Sequence, residues 1–90
     1  MTVVPHVQIM SRMDCCLCDE AAEVVAEAGR RRLCTWEKVD IDTDEVLYRR
    51  YGLDIPVVLI DGEACFRHHV ESSQLENMLV VKRRERGMQA

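Results

Sequence analysis

Helix and strand breakers are scarce in this sequence, with four glycines and two prolines in 90 residues. Together with a 48% hydrophobic content, that scarcity excludes a disordered or low-complexity tract. Aromatics are few as well (one Trp, two Tyr, one Phe), so the core has to be built mainly from aliphatic side chains. No apolar run approaches the roughly 18 residues a membrane span needs. Met1-Thr2-Val3-Val4-Pro5-His6 lacks the basic and apolar regions of an export signal. An excess of basic charge is missing too: twelve Lys and Arg face sixteen Asp and Glu, for a net charge of -4. Nucleic-acid surfaces depend on basic charge, so neither nucleic acid nor membrane is an expected partner. What remains is one small globular domain over residues 1–90, expected to be a cytoplasmic monomer.

Cysteine is the exception to this sparseness. Five stand at positions 15, 16, 18, 34 and 65, three of them within four residues. A secreted disulfide scaffold more often shows an even number, spread along an exported chain. An odd, clustered set points to redox chemistry or metal binding.

Hydrophobic periodicity orders the chain. Val7-Gln8-Ile9-Met10 reads as a short strand. Leu17, Ala21, Val24, Val25 and Ala28 then recur three or four residues apart, the apolar face of a helix that opens on the cysteines and is expected to stop at Gly29. Thr35 to Ile41 reads as a second strand, with Trp36 packing in it. Asp42-Thr43-Asp44-Glu45 resembles a capping box for a helix running through Tyr51 to Gly52. Val57-Val58-Leu59-Ile60 suits a strand covered on both faces. Asp61-Gly62 signals a hairpin returning through Ala64-Cys65-Phe66-Arg67. Ser73 to Glu76 fits another capping box, with Leu75, Met78 and Leu79 as the apolar stripe of a last helix. Residues 83–90 are expected to form a flexible basic tail. The order is β-α-β-α-β-β-α, an α/β fold with a mixed four-stranded sheet flanked by three helices.

Cys15 and Cys18 form a Cys-x-x-Cys pair at a helix start. The first thiol there meets unpaired backbone N–H groups and the positive end of the helix dipole, which favour the nucleophilic thiolate. The second, buried one turn later, is placed to resolve a mixed disulfide. Cys34 and Cys65 read as small core residues, and Cys16 as an exposed helix residue.

Cys15-Cys16-Leu17-Cys18-Asp19-Glu20-Ala21, Val39-Asp40-Ile41-Asp42, Tyr51-Gly52, Ile55-Pro56-Val57 and Asp61-Gly62 together resemble the thioredoxin fold, and within it the glutaredoxin-like domain family. The resemblance covers residues 7 to 80. It implies a thiol–disulfide oxidoreductase in which Cys15 attacks, Cys18 resolves, and a cis Pro56 with Ile55 shapes the edge where substrate docks. It implies no cofactor beyond the dithiol, with glutathione or another low-molecular-weight thiol as reductant and a disulfide-bearing protein or small thiol as substrate.

Two departures bear on specificity. Cys16 and Leu17 stand where dithiol glutaredoxins carry a proline and an aromatic. Arg67-His68-His69-Val70-Glu71 stands where they carry the Gly-Gly turn that helps hold glutathione. Arg67 and His68 are expected near the dithiol, where positive charge would favour thiolate and attract anionic thiols. The competing reading is a metal or iron–sulfur module built on Cys15, Cys16, Cys18 and one of His68 or His69; a redox-inactive interaction domain is a third.

Overall fold

The computed structural model describes residues 4–88, with side chains to residue 85. Four strands, β1 (His6–Ser11), β2 (Thr35–Asp40), β3 (Val57–Ile60) and β4 (Glu63–Arg67), form one sheet in the order β2-β1-β3-β4. β1 runs parallel to β2 and antiparallel to β3, and β3 runs antiparallel to β4. Helices α1 (Cys16–Arg30), α2 (Glu45–Tyr51) and α3 (Ser72–Met88) complete the expected order, with a short 3-10 turn at Ile41–Thr43.

Alternation along β1 divides the core into two layers. Val7 and Ile9 join Val58 and Ile60 under Ala21, Val25 and Ala28 of α1 and Leu75 and Leu79 of α3. Met10 faces the other way, packing with Val57, Leu59, Ile41 and Tyr51 on the α2 side. β3 is buried at every position, as its unbroken apolar run requires. The hairpin turn uses left-handed backbone at both Asp61 (φ 52°) and Gly62 (φ 85°), the conformation favoured in two-residue hairpins. A bulge in β4 leaves Cys65 as the extra residue, since Leu59 pairs with Ala64 and Val58 with Phe66.

Several expected helix boundaries shift, each for a local reason. Gly29 lies inside α1; a Cβ there would stand 2.9 Å from the Trp36 ring, so it is small to admit the indole. Arg32 makes the left-handed turn instead (φ 61°), with its N–H donating to Gly29 O and that of Leu33 to Ala28 O. Asp44 rather than Asp42 caps α2, its Oδ1 accepting from Val46 and Leu47 N–H at 2.9 and 3.2 Å. Asp42 is drawn off to Arg12, at 2.9 Å. Ser73 is not a cap, because α3 already begins at Ser72. Of the tail expected over 83–90, residues 83–88 continue α3, whose Lys82 pairs with Glu63 of β4, and 89–90 lie outside the described residues.

Gly52 has ordinary right-handed backbone (φ -55°), yet a Cβ there would stand 2.5 Å from the Tyr48 carbonyl oxygen. Gly52→Ala should therefore cost about 1–3 kcal/mol, as overpacking does. Thermal unfolding should show a midpoint lowered by about 4 °C or more; an unchanged midpoint would mean that α2 ends differently.

Candidate active site

The strand registers bring three chain segments to one edge of the sheet. Met10 at the end of β1 pairs with Val57 at the start of β3, and Val57 pairs with Arg67 at the end of β4. The loop to α1, the Ile55–Pro56 segment and the turn at His68 therefore lie side by side. The Ile55–Pro56 peptide is cis. His68 takes left-handed backbone (φ 66°), and its N–H donates to Pro56 O at 2.8 Å and Asp54 O at 3.2 Å.

Asp14, also left-handed (φ 58°), turns the chain from β1 into α1. The helix then starts on a cysteine cap: Cys15 is extended (φ -108°, ψ 108°), and its Sγ accepts the Cys18 N–H at 3.3 Å. A sulfur thus occupies the place an Asp or Ser oxygen usually fills, beside otherwise unpaired helix N–H groups. Cys15 is half-buried, Cys16 exposed and Cys18 fully buried; all three are free thiols. Cys18, with Ala21, Val25 and Ala28, forms the buried stripe of α1. Leu17, expected on that stripe, is 47% exposed, because the stripe starts one residue later.

Burial pushes the Cys18 thiol up to about 11, reinforced by its hydrogen bond to Cys15. The Arg12 backbone and the charge of Lys38 act in the opposite direction. Lys38 was not among the residues singled out from the sequence. It belongs to β2, in register with Ile9, and reaches across to Asp19 of α1 at 3.1 Å. A lone Lys in an exposed strand carries no local motif, and only the parallel pairing of β1 and β2 brings it toward the dithiol. Ser11, Arg12, Met13, Lys38 and Asp40 line a depression of about 210 Å³ there.

Arg67 and His68 share the dithiol edge, but their side chains turn to Asp54, at 2.9 and 3.7 Å. The positive influence on Cys18 comes from Lys38 instead. Among the described residues, no three His, Cys, Asp or Glu side chains stand close enough together to hold a metal ion. The ligand set Cys15, Cys16, Cys18 and His68 or His69 is therefore not assembled in this conformation. Cys34 is buried in the core and Cys65 half-buried beside it, and burial raises both thiols.

A parallel pair joined through a helix, an antiparallel hairpin and a Cys-x-x-Cys at the first helix define a thioredoxin-fold protein. Residues 6–80 match the family model described as Glutaredoxin-like domain (DUF836), and the chain belongs to that family. A glutaredoxin-like protein of Dictyostelium discoideum is 26% identical over 76 residues, covering 78% of this chain and 70% of that protein. The X-ray structure of a structural-genomics target from X. campestris is similar, with TM-score 0.70 and 31% identity over 83% of this chain and 96% of that one. A mutant thioredoxin from Halobacterium salinarum shares the fold at TM-score 0.62 and 20% identity, over 83% of this chain and 71% of its own. No helix among the described residues is long and apolar enough to cross a membrane.

The raised thiols carry a sign for stability. Cys18 releases its proton near 11 when folded and near its ordinary 9.0 when unfolded. Its contribution is fully present below pH 9 and is lost as pH climbs toward 11, since only the unfolded chain ionises in that window. Cys34 and Cys65 act in the same direction. Melting temperatures should thus fall above pH 9, and Cys18→Ala should flatten that fall; an identical slope in the variant would contradict the assignment. In the folded protein near neutral pH, iodoacetamide should modify Cys15 well before Cys18, as peptide mapping would report.

Proposed function

We propose that this protein is a thiol–disulfide oxidoreductase. The observation that carries this reading is the Cys15 sulfur, capping α1 and accepting the Cys18 N–H at 3.3 Å, with the Cys18 thiol buried behind it. That hydrogen bond fixes the outer sulfur at the start of the helix, while burial keeps the inner thiol protonated.

The chemistry follows from this inequality. The Cys15 thiolate attacks one sulfur of a substrate disulfide; that S–S bond breaks, and the departing sulfur leaves as a thiolate that takes a proton. Cys15 is then in a mixed disulfide. Cys18 gives up its proton and attacks the Cys15 sulfur, expelling the second substrate thiol and closing a Cys15–Cys18 disulfide. Two electrons have passed to the substrate, and an external low-molecular-weight thiol or dithiol donor returns them. Ile55, Pro56, Arg67 and His68 border the edge on which a disulfide-bearing protein or small thiol would dock. The odd, clustered cysteine set suits a reducing compartment such as the cytoplasm.

Glutathione fits this edge poorly. The His68 N–H, which lies in the region of the absent Gly-Gly turn, is already engaged with Pro56 O and Asp54 O. Arg67 and His68 are held on Asp54. The His68 N–H is thus already engaged, and the charge of Arg67 is already shared with Asp54.

Three outcomes test these roles. Cys15→Ser should abolish disulfide reduction, and Cys18→Ser should accumulate a mixed disulfide on Cys15, visible by mass spectrometry. A Cys15→Ser protein that reduced disulfides at the parent rate would overturn the mechanism. In a glutathione-coupled assay, turnover should be far below that of a dithiol glutaredoxin run in parallel, and a comparable rate would refute the specificity argument alone.

A further inference from the structure

At the end of β1 opposite the dithiol, about 20 Å away at the usual strand rise, lies a cavity of about 570 Å³. Val4, Gly29, Arg32, Cys34, Thr35 and Arg83 line it. The function proposed above makes no use of it.

Its two arginines stand without a carboxylate partner. Most other basic side chains pair with carboxylates, among them Arg12 with Asp42, Arg30 with Glu27, Arg31 with Glu76 and Arg67 with Asp54, whereas Arg50 and Arg84, outside the cavity lining, do not. Among the described residues, Arg32 and Arg83 have no such partner. In a chain with more carboxylates than cations, two unmatched guanidinium groups bordering one cavity leave positive charge available there.

Arg32 adds an independent observation. It holds the left-handed position after α1 (φ 61°), where its N–H bonds Gly29 O and that of Leu33 bonds Ala28 O. Glycine is the residue best suited to that conformation, and a Cβ there is unfavourable. A position that favours glycine is thus held by an arginine that borders the cavity.

We propose that this cavity binds a small molecule through a phosphate group held between Arg32 and Arg83. A phosphate dianion matches two positive charges with one group, and its oxygens accept paired N–H donors from planar guanidinium groups. The Thr35 hydroxyl on the same wall is already bonded to His6 Nδ1 at 2.7 Å, so the two guanidinium groups carry the recognition. Trp36 stands against Gly29 at the cavity margin and is the chain's single tryptophan, so occupancy has a built-in reporter.

The test is calorimetric titration of the whole protein with pyrophosphate and, separately, with citrate at constant ionic strength, with Trp36 fluorescence followed in parallel. Saturable pyrophosphate binding is expected with Kd below about 1 mM. Arg32→Gly and Arg83→Gln should each weaken it about tenfold or more, as loss of a charge-assisted pair does. Arg32→Gly should at the same time melt no lower than the parent, since glycine suits that backbone, so lost binding would not reflect lost folding. Arg84→Gln, which removes a neighbouring arginine outside the cavity lining, should bind normally. No saturation by pyrophosphate, tighter binding of citrate, or an equal loss in Arg84→Gln would overturn the proposal.

Discussion

The hydrogen bond from the Cys18 N–H to the Cys15 sulfur is the contact on which the account of this protein rests. It makes a cysteine the cap of α1, so helix start and candidate nucleophile are the same residue. One turn of helix then separates an accessible sulfur from a fully buried one. Two thiols of identical chemistry become unequal through position alone: one sits among helix N–H groups, while the other is desolvated and pushed up to about 11. The rest of the fold keeps that turn in place. Central β1 delivers the loop, β3 and β4 hold Ile55–Pro56 and His68 beside it, and Cys18 lies on the buried stripe of α1.

Those parts of the fold that depend on residue periodicity were legible in the sequence. The apolar run Val57–Ile60, the Asp61-Gly62 turn and the Leu75, Met78 and Leu79 stripe each specify an element through local sequence, and each stands where expected. The Cys-x-x-Cys at a helix start was equally plain, because its spacing and its place after the first strand are both local facts.

Boundaries were less legible, for a common reason. Asp40, Asp42 and Asp44 are spaced two apart, and each can cap a turn. Asp44 caps α2 because Asp42 is taken by Arg12, thirty residues away in sequence. Gly29 resembles a helix stop until Trp36 is placed against it. The electrostatics of the site were hidden in the same way. Arg67 and His68 reach the expected edge yet turn their side chains to Asp54, whereas Lys38 acts on Cys18 from the neighbouring parallel strand. Each of these outcomes depends on a pairing between distant segments, and no window of sequence contains it.

The most direct measurement is the connectivity of the disulfide formed when the purified protein is mildly oxidised, read by alkylation of the remaining thiols and peptide mass spectrometry. One dominant intramolecular Cys15–Cys18 bond is expected, with Cys34 and Cys65 left as alkylatable thiols after unfolding. A dominant bridge containing Cys34 or Cys65, or a stable refusal to oxidise at Cys15, would contradict it.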